Sequence, residues 1–163
     1  MRPLLVLLVG MQLAYGGARA PAPFADVPPC HWAAEAVAEL AEVGIFIGFP
    51  VDHDYLAANA LRQVFEGLRC DDLDWSRAFI EAAPEAFAEV AGVQLVGFAL
   101  DTVVVERVGP RAEIGYSLTT VVEHQATRIT EVREGTIEAQ LGAAGWQVAY
   151  ADLADLALPV FPH

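Results

Sequence analysis

Four small groups of side chains in this 163-residue chain could do chemistry. Asp52, His53 and Asp54 crowd into "VDHDY", three residues of metal-ligating type within one turn. They lack the spaced oxygens and central glycine of an EF-hand loop, and acids are common in turns, so a polar turn is the expectation. "DDLDW" gathers Asp71, Asp72 and Asp74 ahead of an apolar-periodic stretch. Carboxylates there complement the positive end of a helix, which is preferred to an Asp-Asp-x-Asp catalytic cluster. His124 beside Glu123 could serve as an acid or base at a strand end; a solvated surface pair is the simpler reading. Cys30 and Cys70 are the remaining reactive pair. The chain has no G-x-S-x-G elbow, H-E-x-x-H, glycine-rich phosphate loop or CxxC spacing. A non-enzymatic protein without cofactor or metal is therefore expected.

The first twenty residues, "MRPLLVLLVGMQLAYGGARA", set one arginine before an apolar run from Leu4 to about Tyr15. That run is shorter than the roughly 20 residues of a membrane span but suits the core of a signal peptide. Ala18-Arg19-Ala20 fits a cleavage site, with Gly16-Gly17-Ala18 as a second one; an uncleaved anchor is the alternative. The sequence thus predicts export to the periplasm or cell surface, with no membrane span after cleavage. All nine cations are arginines. When Arg2 and Arg19 leave with the signal, the formal charge goes from −13 to −15, because all 22 acids lie downstream. Such a chain has no basic stripe with which to neutralise phosphates, which argues against a nucleic-acid partner. In an exported protein two cysteines permit a disulfide, with two separate buried thiols as the alternative. Closing a loop of this size would restrict the unfolded chain by about 4 kcal/mol.

The elements that must position these groups begin at Pro28-Pro29, which impose an extended entry. From Trp32 to Val43, the residues Trp32, Ala36, Val37, Leu40 and Ala41 fall on one helical stripe, with Glu35, Glu39 and Glu42 opposite. Gly44 stands where a left-handed cap is needed, and Ile45 can fold back on Leu40. His31 falls in the turn before the helix. After the short apolar piece "IFIGFP" and the polar turn, Asn59 is the expected N-cap of a second helix. Leu61, Val64, Phe65 and Leu68 would form its inner face.

This helix–loop–helix resembles an S-layer homology (SLH) domain, whose first half runs F-x-D-V-x-x-x-HWA, an amphipathic helix, then GI-x-x-G-[YF]-P. The matching residues are Phe24, Asp26, Val27, His31-Trp32-Ala33, Ala36-Val37, Leu40, Gly44-Ile45 and Gly48-Phe49-Pro50. The second half departs from the family: neither D-G-T nor T-R-A-E is present. With Asn59 at the family's threonine, Ala60 replaces its arginine; a two-residue slide would put Arg62 there instead. The resemblance implies non-covalent anchoring to peptidoglycan or an attached, often pyruvylated, wall polysaccharide. It also implies that Asp26, Trp32, Phe49 and Arg62 contact the polymer, an arginine fork holding a carboxylate and an aromatic face covering a sugar ring. The family commonly uses three repeats, and one is visible here, so self-association or contact with the peptide of peptidoglycan would have to compensate. Blander roles exist for each residue: Trp32 and Phe49 as core anchors, Asp26 as a turn cap, Arg62 as a solvated cation.

"DDLDWSRAFIEAAPEAFAEVAG" reads as a connecting helix, kinked or split at Pro84. From Val93 the period changes to two. "VQLVGFAL" and "TVVVERV" read as strands, Gly109-Pro110 as a turn, and "AEIGYSLTTVVEH" as the next strand. "ATRITEV" ends at a Glu134-Gly135 turn, and "TIEAQL", "GAAG" and "WQVAYADL" form a hairpin. In that hairpin Ile137, Ala139 and Leu141 would share a face with Trp146, Val148 and Tyr150. "LPVFPH" would lie across the sheet. The expected fold class is α+β: a signal peptide (1–20), an SLH-like domain (21–70), a connecting helix (71–92) and a small antiparallel β-meander (93–163). Helix followed by curved sheet is also the order of cystatin-like and nuclear-transport-factor-like folds, without a motif to carry that likeness.

Overall fold

A computed structural model describes residues 27, 30, 33–43, 52–88 and 92–161. Its elements are α1 (Ala34–Glu42), α2 (His53–Arg69), α3 (Leu73–Ala78), β1 (Ile80–Glu81), β2 (Val93–Val108), β3 (Arg111–His124), β4 (Thr127–Gly142), β5 (Gly145–Ala149) and α4 (Tyr150–Asp155). The fold class is α+β, with helices leading into a five-stranded sheet of order β1-β5-β4-β3-β2. Four strands form an antiparallel meander, while the two-residue β1 joins β5 in parallel, Ile80 opposite Val148.

The second helix starts six residues before the expected Asn59. Asp52 is its N-cap: the carboxylate accepts from the Asp54 and Tyr55 amides at 3.0 and 3.2 Å. Asn59 lies inside the helix and is buried. An aspartate aimed at free amides is as good a cap as asparagine, and starting there adds Leu56 and Ala57 to the apolar stripe. The anticipated inner face is present, with Leu61, Val64 and Phe65 fully buried and Leu68 nearly so. That face meets the sheet. Ala57, Ala60, Leu61, Val64, Phe65 and Leu68 share one hydrophobic core with Leu95, Leu100, Ile114, Leu118, Val122, Ile137 and Val148. A domain boundary at residue 70 would cut through this core, so α2 belongs with the sheet and not with a separate 21–70 unit.

The connecting helix is also shorter than expected. Asp72 caps α3 by accepting from the Trp75 amide at 2.9 Å, as acids at a helix start should, but the helix ends at Ala78. Beyond it, the Phe79 carbonyl accepts from the Val148 amide at 3.0 Å and Ile80 pairs with β5. Arg77 donates to the carbonyls of Pro84 and Glu85, at 2.9 and 2.7 Å, and lies 5.0 Å from the centre of the Phe87 ring. Backbone groups that a longer helix would have satisfied internally thus find partners in the sheet and in a turn.

In the meander, the two segments read as separate strands form one sixteen-residue β2. Its register shifts between Leu95 and Gly97 and again between Val104 and Glu106, bulges that bend a long strand. β4 runs straight through the expected Glu134-Gly135 turn: Glu134 pairs with Ser117, and Gly135 with Tyr116. The Tyr116 ring covers Gly135 so closely that a Cβ there would stand 3.2 Å from the phenolic oxygen. The "GAAG" hairpin is present, with Ala139 opposite Val148 and Leu141 opposite Trp146. Its second strand stops at Ala149, and Tyr150 begins α4, which turns Leu153 and Ala154 inward. The tail then buries Leu158, Val160 and Phe161, with Phe161 edge-on to Phe65 at 5.9 Å.

Two substitutions test this framework. Asp52→Ala should lower unfolding free energy by about 1 kcal/mol through loss of the cap, whereas a cap at Asn59 would leave Asp52→Ala neutral. Gly67→Ala should favour the helix by roughly 1 kcal/mol on propensity alone. Its Cβ, however, would come within 2.7 Å of the Ser76 amide nitrogen and 2.8 Å of the Asp72 carbonyl oxygen. Close-packed backbone yields poorly, so a net loss of about 1–3 kcal/mol is expected in denaturant titration.

Candidate functional site

The residues first singled out for recognition fall at the N-terminal side of the fold. Asp26, Trp32 and Phe49 lie outside the described residues, as do His31, Gly44 and Ile45. What is described is the helix between them. α1 carries Val37, Leu40 and Ala41 on one side and exposed Glu35, Glu39 and Glu42 on the other. None of its residues is buried, and Val43 after it is 69% exposed. A helix with an apolar stripe usually covers that stripe with its own fold; this one leaves it half open.

The link from this segment to the rest is covalent. Cys30 and Cys70 form a disulfide with a Cα–Cα separation of 5.6 Å, ordinary for such a bridge. Cys70 caps the C-terminus of α2, its amide donating to the Glu66 carbonyl at 3.0 Å, while the Asp71 amide donates to the Leu68 carbonyl at 3.3 Å. Arg69 stands over the bridge, its Nη2 3.3 Å from Cys30 Sγ and 3.9 Å from Cys70 Sγ. Glu66 holds that guanidinium through Nε at 3.0 Å and Nη2 at 2.7 Å.

Arg62 is placed elsewhere than expected. It sits on α2, half-buried, and its guanidinium donates to the Leu100 carbonyl of β2. It closes the seam between helix and sheet. The other arginines are similarly occupied. Arg107 pairs with Asp54, Arg111 with Glu138 at 3.8 Å, and Arg128 with Glu123 at 3.1 Å. Arg133 donates from Nε to the Leu156 carbonyl at 3.1 Å, pinning the tail to β4, and pairs with Glu131 at 3.3 Å. Every arginine among the described residues therefore has a partner within the protein. The acid-rich turn is likewise used up: Asp52 caps α2, His53 Nδ1 accepts from Trp146 Nε1 at 3.2 Å, and Asp54 pairs with Arg107. His124 is half-buried at the end of β3 opposite Val93 and Thr127, and its neighbour Glu123 is paired with Arg128.

Sequence reasoning missed the group formed by Tyr116, Glu131 and Arg133. All three sit on the helix-facing side of β3 and β4, in register with the buried Leu118 and Thr120. Strand alternation carried the signal, since each is an even number of residues from a core residue of its own strand, Tyr116 from Leu118 and Glu131 and Arg133 from Ile137, but the assumed break at Glu134-Gly135 hid it. Burial raises the Tyr116 phenol above its ordinary value of 10.0, and the nearby Arg133 charge partly opposes this. Of the three, Arg133 fastens the tail over the sheet through the Leu156 carbonyl.

No family model matches the chain, and no curated protein is significantly similar to it.

Because the folded chain holds the Tyr116 proton more tightly than the unfolded chain does, the stability linked to that proton is fully present below the unfolded value near 10. Stability should then fall as pH rises through the higher folded value. Melting temperatures measured between about pH 8 and 11 should show this decline in the native protein and a shallower one in Tyr116→Phe. Identical slopes would remove Tyr116 as its cause.

Proposed function

We propose that this protein is an exported, non-enzymatic component of the cell envelope. In this reading an SLH-like N-terminal segment binds peptidoglycan or an attached wall polymer, and the α2–sheet domain is what the segment holds at the wall. The observation that carries the proposal is α1 itself: an amphipathic helix with no buried residue, tethered through Cys30–Cys70 and leaving its stripe available. The sequence resemblance spans this helix and the residues on either side.

The electrostatics narrow the ligand. The chain is strongly acidic, and its described arginines are all engaged. An anionic, pyruvylated polymer would find no free guanidinium on the described surface and would meet net repulsion. Neutral glycan and the stem peptide of peptidoglycan fit better, with Trp32 and Phe49 as ring platforms and Asp26 as hydrogen-bond acceptor. Aromatic faces bind sugars through apolar contact, which a negative net charge does not oppose.

One observation favours a second reading. Since α2 packs into the sheet core, the two helices of an SLH unit do not form a core of their own here. The protein could then be a periplasmic binding or assembly module whose N-terminal helix has no role at the wall.

Co-sedimentation with purified sacculi separates the two. The mature protein should pellet with sacculi, and Trp32→Ala should weaken the affinity about tenfold, or ~1.4 kcal/mol. Arg62→Ala should bind normally while losing about 1 kcal/mol of stability, because it strips the Leu100 carbonyl of its donor. Failure of the native protein to pellet would leave the module reading in place.

A further inference from the structure

We propose that the Cys30–Cys70 bridge is a site of thiol–disulfide exchange for an external dithiol oxidoreductase, with Cys70 the sulfur attacked and Cys30 the departing thiolate. This inference rests on the geometry around the bridge and not on wall binding.

Three observations carry it. The bridge is at the surface, Cys30 being exposed and Cys70 half-buried, so a partner's thiolate can reach it. Its two sulfurs also sit in unlike electrostatic settings. Arg69 Nη2 lies nearer to Cys30 Sγ, at 3.3 Å, than to Cys70 Sγ, at 3.9 Å, and a guanidinium stabilises an adjacent thiolate. Cys70 instead occupies the C-terminal cap of α2, the negative end of the helix dipole, with Asp71 and Asp72 following it. Charge released on cleavage is thus better tolerated on Cys30. Finally, the core does not require the bridge to close. α2 is fastened by Leu61, Val64 and Phe65 against the sheet, whereas α1 buries nothing. Opening the bond frees the α1 segment and leaves the α2–sheet core in place.

The exchange balances without any further reagent. A partner thiolate attacks Cys70 Sγ, the S–S bond breaks, and its electron pair goes to Cys30 Sγ beside Arg69. The partner's second thiolate then attacks the partner's first sulfur in the mixed disulfide and expels Cys70 as a thiolate; Cys30 and Cys70 each take up, through water, one of the two protons that the partner's thiols gave up. The protein gains two electrons and two protons, and the partner dithiol becomes a disulfide. A leaving thiolate of lower basicity departs faster. Because Glu66 offsets part of the Arg69 charge, the acceleration should be moderate.

The test uses the full mature chain and a CxxC dithiol protein whose second cysteine is replaced by serine, so that the mixed disulfide accumulates. Peptide mapping should find the adduct on Cys70 with Cys30 free to alkylate. Arg69→Gln should slow adduct formation about three- to tenfold, and the difference from the native chain should shrink in about 0.5 M salt, which screens exposed charge. After full reduction, amide exchange in β3 and β4 should remain protected while residues 34–42 lose protection. An adduct on Cys30, equal rates for native and Arg69→Gln chains, or loss of sheet protection on reduction would each overturn the proposal. Loss of sacculus binding would leave it standing.

Discussion

The structure depends on the burial of one face of α2 against a long, bent sheet. Phe65 is central: its ring lies 5.7 Å from Phe98 of β2 and 5.9 Å from Phe161 of the tail. Helix, strand and tail are thereby held by one aromatic side chain that is itself fully buried. The sheet could not cover its own inner face, since Ala112, Ile114, Leu118 and Val122 alternate onto it along the whole of β3. A seventeen-residue helix of about 25 Å supplies the cover, and Arg62 and Arg133 close the seams by donating to Leu100 and Leu156 carbonyls. The bulges in β2 are part of the same solution, because a flat strand of that length would not wrap a helix.

That arrangement defines what is left over. α1 has no buried residue, and a covalent bond ties the segment that precedes it to the end of α2. An element held in this way can present its surface at little cost to the domain behind it. The engagement of each described arginine has a related consequence. In a chain carrying a formal charge of −13, seven arginines committed to carbonyls and carboxylates give stability to seams and turns but no attraction for an anionic partner. Both proposals draw on what is left: wall recognition on the aromatic and hydrogen-bonding groups of the N-terminal sequence, and thiol exchange on the Cys30–Cys70 tether.

Where a signal was local, the sequence reported it faithfully. The inner face of α2 was legible because Leu61, Val64, Phe65 and Leu68 repeat at helical spacing. Ala139 facing Val148 and Leu141 facing Trp146 followed from strand alternation around a small-residue turn, and the acids before Trp75 marked a helix start. The signal for α2's true beginning was also present, in Asp52, but a cluster of polar residues read more readily as a turn. Errors arose where a distant partner decided the outcome. Ala-rich sequence after Arg77 favours helix on propensity, yet Ile80 is in a strand because β5 offers a free edge. Glu134-Gly135 has turn chemistry, yet β3 supplies hydrogen bonds on both sides of it and Tyr116 covers the glycine.

The sequence by itself therefore determined the α+β class, the faces of its helices and strands, and the acidity of its surface, because these follow from residue type and period along the chain. Only the tertiary structure decided which helix belongs to which core, where the strands run without a break, and with what each described arginine is paired. Those outcomes turn on hydrogen bonds and contacts between separate segments, such as Ser117 with Glu134, Arg62 with Leu100, Ile80 with Val148 and Trp146 with His53. No local pattern encodes a partner that arrives from so far along the chain.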